Sequence, residues 1–318
     1  MIIIRHKLFL QSSLSMDNIN ATNFILPSPI TMLRFFETQK ITVLMKREDL
    51  IHHYVSGNKY RKLKYKLLKT KDLHITQFVT KGGAFSNHIH AMSAVGNFLK
   101  INTIGIIRGE KVENKTLDFA KDNGMDLIFC NRTDYRSINA ENFQDFLPEK
   151  IENAVFIPEG GTNKLAIKGV AEMVEEIKTQ LDTMPDFICT SCGTGGTLTG
   201  IIEGLAGEQK AIGFSALKGD FMEAEIRENQ QKFELTPYKN WEIINDYHFG
   251  GYAKTNKILF DFVKDFELKY NILLDPIYTS KMMYGLFDLI EKNYFPEGST
   301  ILAVHTGGLQ GWNGFEKG

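Results

Sequence analysis

Phe187-Ile188-Cys189-Thr190-Ser191-Cys192-Gly193-Thr194-Gly195-Gly196-Thr197-Leu198-Thr199-Gly200 is the stretch on which the fold turns. Its opening residues are aromatic, β-branched or small, and 187–190 reads as a strand. A loop of Gly, Ser and Thr follows, and the pattern predicts a helix starting near Leu198. Such a loop offers backbone N–H groups and hydroxyls at the positive end of a helix, which makes a cradle for phosphate. No Gly-Lys-Ser/Thr follows, so it is not a nucleotide P-loop. Leu198 stands where a dinucleotide loop needs its third glycine. The phosphate that fits belongs to a small phosphorylated cofactor.

Outward from this loop, Gly-Gly pairs fall at 82–83, 160–161, 195–196, 250–251 and 307–308. All but the 250–251 pair follow strand-like runs. Strands are predicted over 75–80, 103–108, 126–130, 154–157, 187–190, 211–216 and 300–305. Helices fall between them. After Ser86-Asn87, residues Ala91, Ala94, Val95, Phe98 and Leu99 follow a helical period, as do Ala166, Val170, Met173, Val174 and Ile177 after Thr162-Asn163. This alternation defines an α/β class with a mainly parallel sheet. Ligands bind such sheets beyond the carboxyl ends of the strands, where glycine lets backbone and ligand approach closely. Several glycine turns at strand ends therefore predict one site built from distant segments. The stretch 218–241 is polar and carries no assignment, and the basic run 59–71 reads as a mostly solvated face of an amphipathic helix.

The 37 basic and 38 acidic residues nearly cancel, which gives no support for nucleic acid or an anionic membrane as a partner. Residues 1–10 hold a short apolar run broken by charges, without the layout of a signal peptide or a membrane span, so a cytoplasmic location is expected. Three cysteines do not make a disulfide framework. Cys189 and Cys192 read as small strand-end residues rather than as a redox pair or half a zinc site.

Two further segments carry candidate chemistry. In Ser56-Gly57-Asn58-Lys59-Tyr60-Arg61-Lys62-Leu63, Lys59 sits just after a turn near a helix start. That position disfavours a cation and lowers the lysine pKa, and such a lysine can form a Schiff base with a carbonyl. In Thr80-Lys81-Gly82-Gly83-Ala84-Phe85-Ser86-Asn87-His88-Ile89-His90, Ser86, Asn87 and His88 open a helix. They can bind a carboxylate, hydrogen-bond a phenolate oxygen or relay a proton. His88 and His90 diverge at their i,i+2 spacing on a helix, so no metal is expected. The turns 275–281 and 305–309 are polar beside apolar runs and identify no reaction alone.

Taken in order, these segments resemble the fold-type-II pyridoxal-phosphate enzymes, and most closely the D-cysteine desulfhydrase / 1-aminocyclopropane-1-carboxylate deaminase family. The resemblance runs from Lys46-Arg47-Glu48-Asp49 to Phe315. Its specific pieces are Gly-Asn-Lys-x-Arg-Lys-Leu at 57–63, Ser-Asn-His at 86–88, Gly-Gly-x-Asn at 160–163, Gly-Thr-Gly-Gly-Thr at 193–197, Leu-Asp-Pro-Ile-Tyr-Thr at 274–279 and His-Thr-Gly-Gly at 305–308. The resemblance implies pyridoxal 5'-phosphate as cofactor, joined to Lys59 as a Schiff base. Backbone N–H groups of the loop Gly193, Thr194, Gly195, Gly196 and Thr197 would hold its phosphate. Asn87 would hold its phenolic oxygen, and Thr279 would face its pyridine nitrogen. Ser86, with Asn87 and His88 beside it, would meet the substrate carboxylate or shuttle a proton. Tyr278 and Tyr252, the latter in Phe-Gly-Gly-Tyr, would flank a small amino-acid substrate. The implied architecture is two α/β domains, a large one of 1–62 with 156–318 and a small one of 63–155, with the cofactor in the cleft between them. Relatives of this kind imply a homodimer.

Thr279 bears on the reaction. A carboxylate there would keep the pyridine protonated and the ring a strong electron sink, whereas a hydroxyl leaves the nitrogen largely neutral and a carbanion less stabilised. That suits α-proton removal coupled to prompt loss of sulfide. In the resemblance, the deaminases carry Glu at this place and the desulfhydrases Thr. The expected activity is therefore α,β-elimination from a small D-amino acid, D-cysteine giving pyruvate, sulfide and ammonia. The alternatives are the deaminase, giving 2-oxobutanoate and ammonia, and a non-catalytic metabolite-binding homologue. The chain departs from the family pattern at Ser56, Phe85 and Ala253-Lys254, all on the expected substrate side. The α-proton base is left open among Lys59, a tyrosine and a serine.

Overall fold

The computed structural model describes residues 24–69 and 75–315; the N-terminal run 1–10 lies outside them. In chain order the elements are β1 (Ile30–Phe36), β2 (Ile41–Lys46), α1 (Asn58–Lys69), β3 (Gln77–Gly83), α2 (Asn87–Leu99), β4 (Asn102–Arg108), α3 (Lys115–Asp122), β5 (Met125–Cys130), α4 (Arg132–Ser137), β6 (Ala154–Ile157), α5 (Lys164–Gln180), β7 (Phe187–Cys192), α6 (Gly196–Leu205), β8 (Lys210–Ser215), α7 (Met222–Lys232), β9 (Trp241–Ile244), α8 (Lys257–Tyr270), α9 (Thr279–Glu291) and β10 (Thr300–Val304).

The strands form two sheets. One has the order β1-β2-β10-β7-β8-β9, the other β5-β4-β3-β6. Among the described residues only β1 and β2 pair antiparallel; every other pairing is parallel. Parallel neighbours need crossovers, and the helices supply them while covering the sheet faces. On the larger sheet, α5, α6 and α7 pack one face through Val170, Met173, Ile201 and Ile226, and α8 and α9 pack the other through Val263, Phe266, Met282 and Leu286. The smaller sheet is covered on one side by α2 and α3. Among the described residues no helix is long and apolar enough to cross a membrane.

Several expectations shift. The strand predicted over 75–80 runs on as β3 to Gly83, so Gly82 and Gly83 pair with Ile107 and Arg108 rather than forming a turn. The stretch 218–241 contains α7. The basic run is not the mostly solvated face expected where Arg61 and Lys62 stand, since both are buried in α1 at 1% and 3% exposure; Lys71 lies outside the described residues. The cause is α5, which covers α1. Arg61 donates to both oxygens of Glu48, 2.8 Å each, and to both of Glu176, 2.7 Å each. The expected division points at 62/63 and 155/156 fall inside α1 and β6.

Candidate active site

A cavity of about 410 Å³ opens where carboxyl ends of strands from both sheets face each other. Gly83 and Arg108 reach it from the ends of β3 and β4, Ser191 to Gly196 from the end of β7, and Thr306 from just past β10. Lys59, Lys62, Ser86, Asn87, His88, Gly193, Thr194, Gly195, Gly196, Thr197, Tyr252 and Tyr278 all stand on its wall. Segments far apart in sequence thus share one site.

The start of α1 is fixed from two sides. Gly57 has φ +61, and a Cβ there would lie 1.9 Å from the Thr306 carbonyl oxygen, so only glycine fits. Asn58 donates its side-chain amide to Thr197 Oγ1 at 3.0 Å and accepts from Lys59 Nζ at 2.9 Å. The Lys59 amine is pushed down to about 8 by burial, with Asp275 partly opposing the shift. The sequence anticipates the direction, but enclosure rather than the helix end is the leading cause.

The phosphate-loop reading rests on two features. No side chain caps α6, which begins at Gly196 rather than Leu198, behind Gly195 at φ 69. Its first N–H groups therefore face the cavity end of the loop. Beside this loop stands Lys62, whose Nζ has among the described residues the Gly160 carbonyl at 3.3 Å and Thr162 Oγ1 at 3.4 Å as partners. Burial, and then Lys59, push Lys62 well below the usual lysine range. A buried amine with no carboxylate in contact among the described residues, next to a helix start that no side chain caps, would regain its proton beside a phosphate dianion and so fits one.

Ser86 caps α2, its Oγ accepting from the N–H of His88 at 3.2 Å and of Ile89 at 3.4 Å. Its own hydroxyl proton remains free to donate. Asn87 accepts from Gln310 Nε2 at 2.9 Å, which fixes its amide plane. The Thr80 hydroxyl donates to the Ile157 carbonyl, so His88 Nε2, 2.8 Å from Thr80 Oγ1, carries the proton. His88 Nδ1 is then an acceptor, buried without a hydrogen-bond partner among the described residues. His90 instead stacks on Phe119 with ring centroids 3.9 Å apart, so the two histidines serve different places.

Thr279 does not reach the wall. Its hydroxyl donates to Asp275 Oδ2 at 2.6 Å and accepts from the Asp275 N–H. Asp275 is fully buried and also accepts from the N–H groups of Ile277, Tyr278 and Thr279. Burial pushes its carboxyl up, against these donors. The wall instead presents the hydroxyls of Ser191 and Thr306, 3.3 Å apart. Tyr252 and Tyr278 meet edge to face with centroids 6.3 Å apart, and burial raises both phenols. Cys189 and Cys192 are buried in β7 with thiols pushed up by desolvation, as structural cysteines are. The sequence assigns no role to Lys62, Asp275, Ser191 or Thr306, though all but Ser191 lie inside the motifs that carry the resemblance and Ser191 lies near the end of β7, just before the glycine loop.

A two-sheet α/β enzyme with a lysine, a phosphate loop and a helix N-terminus around one cleft is the fold-type-II architecture. The family model for pyridoxal-phosphate dependent enzymes matches residues 21–307, and the chain belongs to that family. It is 32% identical over 293 residues to the bifunctional mitochondrial D-cysteine desulfhydrase/1-aminocyclopropane-1-carboxylate deaminase of Arabidopsis thaliana, covering 84% of this chain and 72% of the relative. It is 28% identical over 302 residues to a putative 1-aminocyclopropane-1-carboxylate deaminase of Thermotoga maritima, covering 90% and 95%. Among solved structures, an ACC deaminase homologue superposes with a TM-score of 0.77 at 27% identity, covering 91% of this chain and 92% of the other. The chain is thus a pyridoxal-phosphate-dependent enzyme.

Proposed function

We propose that the chain is a lyase that eliminates the β-substituent of a small D-amino acid, D-cysteine first among them, giving pyruvate, sulfide and ammonia. The observation that carries this reading is the polarity around Lys59. The hydroxyls of Ser191 and Thr306 stand on the wall, and the carboxylate whose field reaches Lys59, Asp275, lies off it with four donors already bound. A hydroxyl partner favours elimination of a good leaving group over reactions that need a protonated ring. In this reading a hydroxyl of the Ser191–Thr306 pair would serve in the place argued for Thr279, whose own hydroxyl is held by Asp275.

When bound, the cofactor supplies an electron sink for the substrate α-carbon. Lys59 would hold it as a Schiff base, the N–H groups of 194–197 together with Lys62 its phosphate, and Asn87 its phenolic oxygen. Ser86 would donate its hydroxyl to the substrate carboxylate beside the α2 N-terminus. The tyrosines, raised by burial, stay neutral and act as donors toward the leaving sulfur. That leaves Lys59 Nζ, its pKa near 8, as the base that takes the α-proton.

The deaminase reading has support in the names of the Thermotoga relative and of the ACC deaminase homologue. It predicts 2-oxobutanoate from the cyclopropane amino acid. A two-domain division, a homodimer and a cytoplasmic location belong to the same reading; the two separate sheets support the first, and light scattering and cell fractionation test the others. The deciding experiment measures pyruvate and sulfide from D-cysteine with cofactor-loaded protein and a Lys59→Ala control. Release lost in the control supports the desulfhydrase; no sulfide from D-cysteine, with 2-oxobutanoate formed when the cyclopropane amino acid is supplied instead, replaces it with the deaminase.

A further inference from the structure

Lys281 lies in α9, three residues past Tyr278, and is 1% exposed. No carboxylate lies within ion-pair distance of it among the described residues. Its Nζ donates instead to three backbone carbonyls: Gly251 at 2.7 Å, His248 at 2.8 Å and Ala216 at 3.4 Å. An ammonium has three protons, and three carbonyl oxygens receive them. Two of those carbonyls belong to the turn that carries Tyr252. That turn is strained: Phe249 (φ 53), Gly250 (φ 96), Gly251 (φ 111) and Ala253 (φ 53) are all left-handed, two of them without the freedom of glycine. Such a run persists only where its surroundings over-determine it. The third carbonyl follows β8, so one side chain ties a strand end, the Tyr252 turn and the helix headed by Tyr278.

We propose that Lys281 is a tethered cation that positions Tyr252 against Tyr278, and that the carbonyl cage left by its removal takes a small free monovalent cation such as ammonium or potassium. The idea rests on the reading that Tyr252 flanks the substrate. Backbone carbonyls without a counter-anion are the ligand set that suits a singly charged ion of ammonium size. Lys281 touches neither cavity nor substrate, so its effect runs through the turn.

The test uses full-length, cofactor-loaded protein in ammonium chloride or potassium chloride, against choline chloride at equal ionic strength. In choline, Lys281→Ala should lose D-cysteine turnover on the order of a hundredfold, the scale of a 1 Å misplacement near the chemistry. Its melting temperature and near-UV tyrosine dichroism should depart from wild type as well. Ammonium should restore all three. Lys281→Met, whose stem fills the cage, should stay impaired in every salt, and wild type should respond to none. Lys281→Ala behaving as wild type in choline overturns the proposal. So does equal behaviour in ammonium and choline, including equal failure to fold. If wild type itself does not turn over D-cysteine, the substrate reading fails alone, and melting and dichroism still decide the role of the cage.

Discussion

Lys59 and Lys62 stand three residues apart on α1, so both amines face one wall. Burial lowers both, and Lys59 lowers Lys62 further, but they differ in what would complete them. Lys59 has Asn58 and the field of Asp275, while Lys62 has only a carbonyl and a hydroxyl at the edge of hydrogen-bond range. A bound phosphate should therefore restore charge to Lys62 and leave Lys59 free to react. The sign follows from the shift: a lysine lowered to about 8 is largely neutral above that pH, instead of above its ordinary value of about 10.5. Competitive labelling of cofactor-free protein, read residue by residue by mass spectrometry, should find Lys59 reactivity rising through pH 8. A rise delayed to the range of surface lysines would remove the amine from its role as base. For Lys62, replacement by Met should weaken cofactor binding while pyridoxal lacking the phosphate binds both proteins alike; equal weakening for both ligands would put Lys62 elsewhere.

At the scale of elements, legibility in the sequence followed locality. The strands β4, β6, β7, β8 and β10 were readable because β-branched runs end at glycine turns or helix caps a few residues on. β1 was not, because Arg34 interrupts ITMLRFF and a register shift between Met32 and Arg34 breaks its alternation. β9 is only four residues long and follows a polar stretch. The burial of Arg61 is not legible in the sequence because its neutralising partners are remote: Glu48 lies 13 residues back and Glu176 lies 115 residues on. This ion network makes its own prediction. Arg61→Met would leave Glu48 buried without its cation, a loss of about 3–5 kcal/mol. Urea unfolding should show it as a lower midpoint at unchanged slope. A change below about 1 kcal/mol would mean that α1 is held by its apolar face alone. Gly57→Ala should act more locally, since its Cβ must displace the Thr306 carbonyl from the start of α1. Expected there is a folded protein with much reduced cofactor loading, followed by the absorbance of the bound cofactor.

The whole molecule joins two sheets whose cores are distinct, and the residues proposed to hold the cofactor come from both. Asn87 and His88 ride on α2 over the smaller sheet, while Gly193 to Thr197 and Thr306 extend from strands of the larger. A ligand gripped from both sides stabilises each sheet only while the other is folded. Loading at a hundredfold above its dissociation constant adds about 2.7 kcal/mol to the folded state. If the ligand couples the sheets, that gain should appear in both. Hydrogen exchange of β3 and β4 on one side, and of β7 and β10 on the other, should slow together when cofactor is added. Inorganic phosphate alone, which can occupy only the α6 end, should protect β7 more than β3. Protection confined to the larger sheet under full cofactor loading would mean that Ser86, Asn87 and His88 merely border the cleft, and the substrate side of the site would have to be sought among Tyr252, Tyr278 and Arg108 instead.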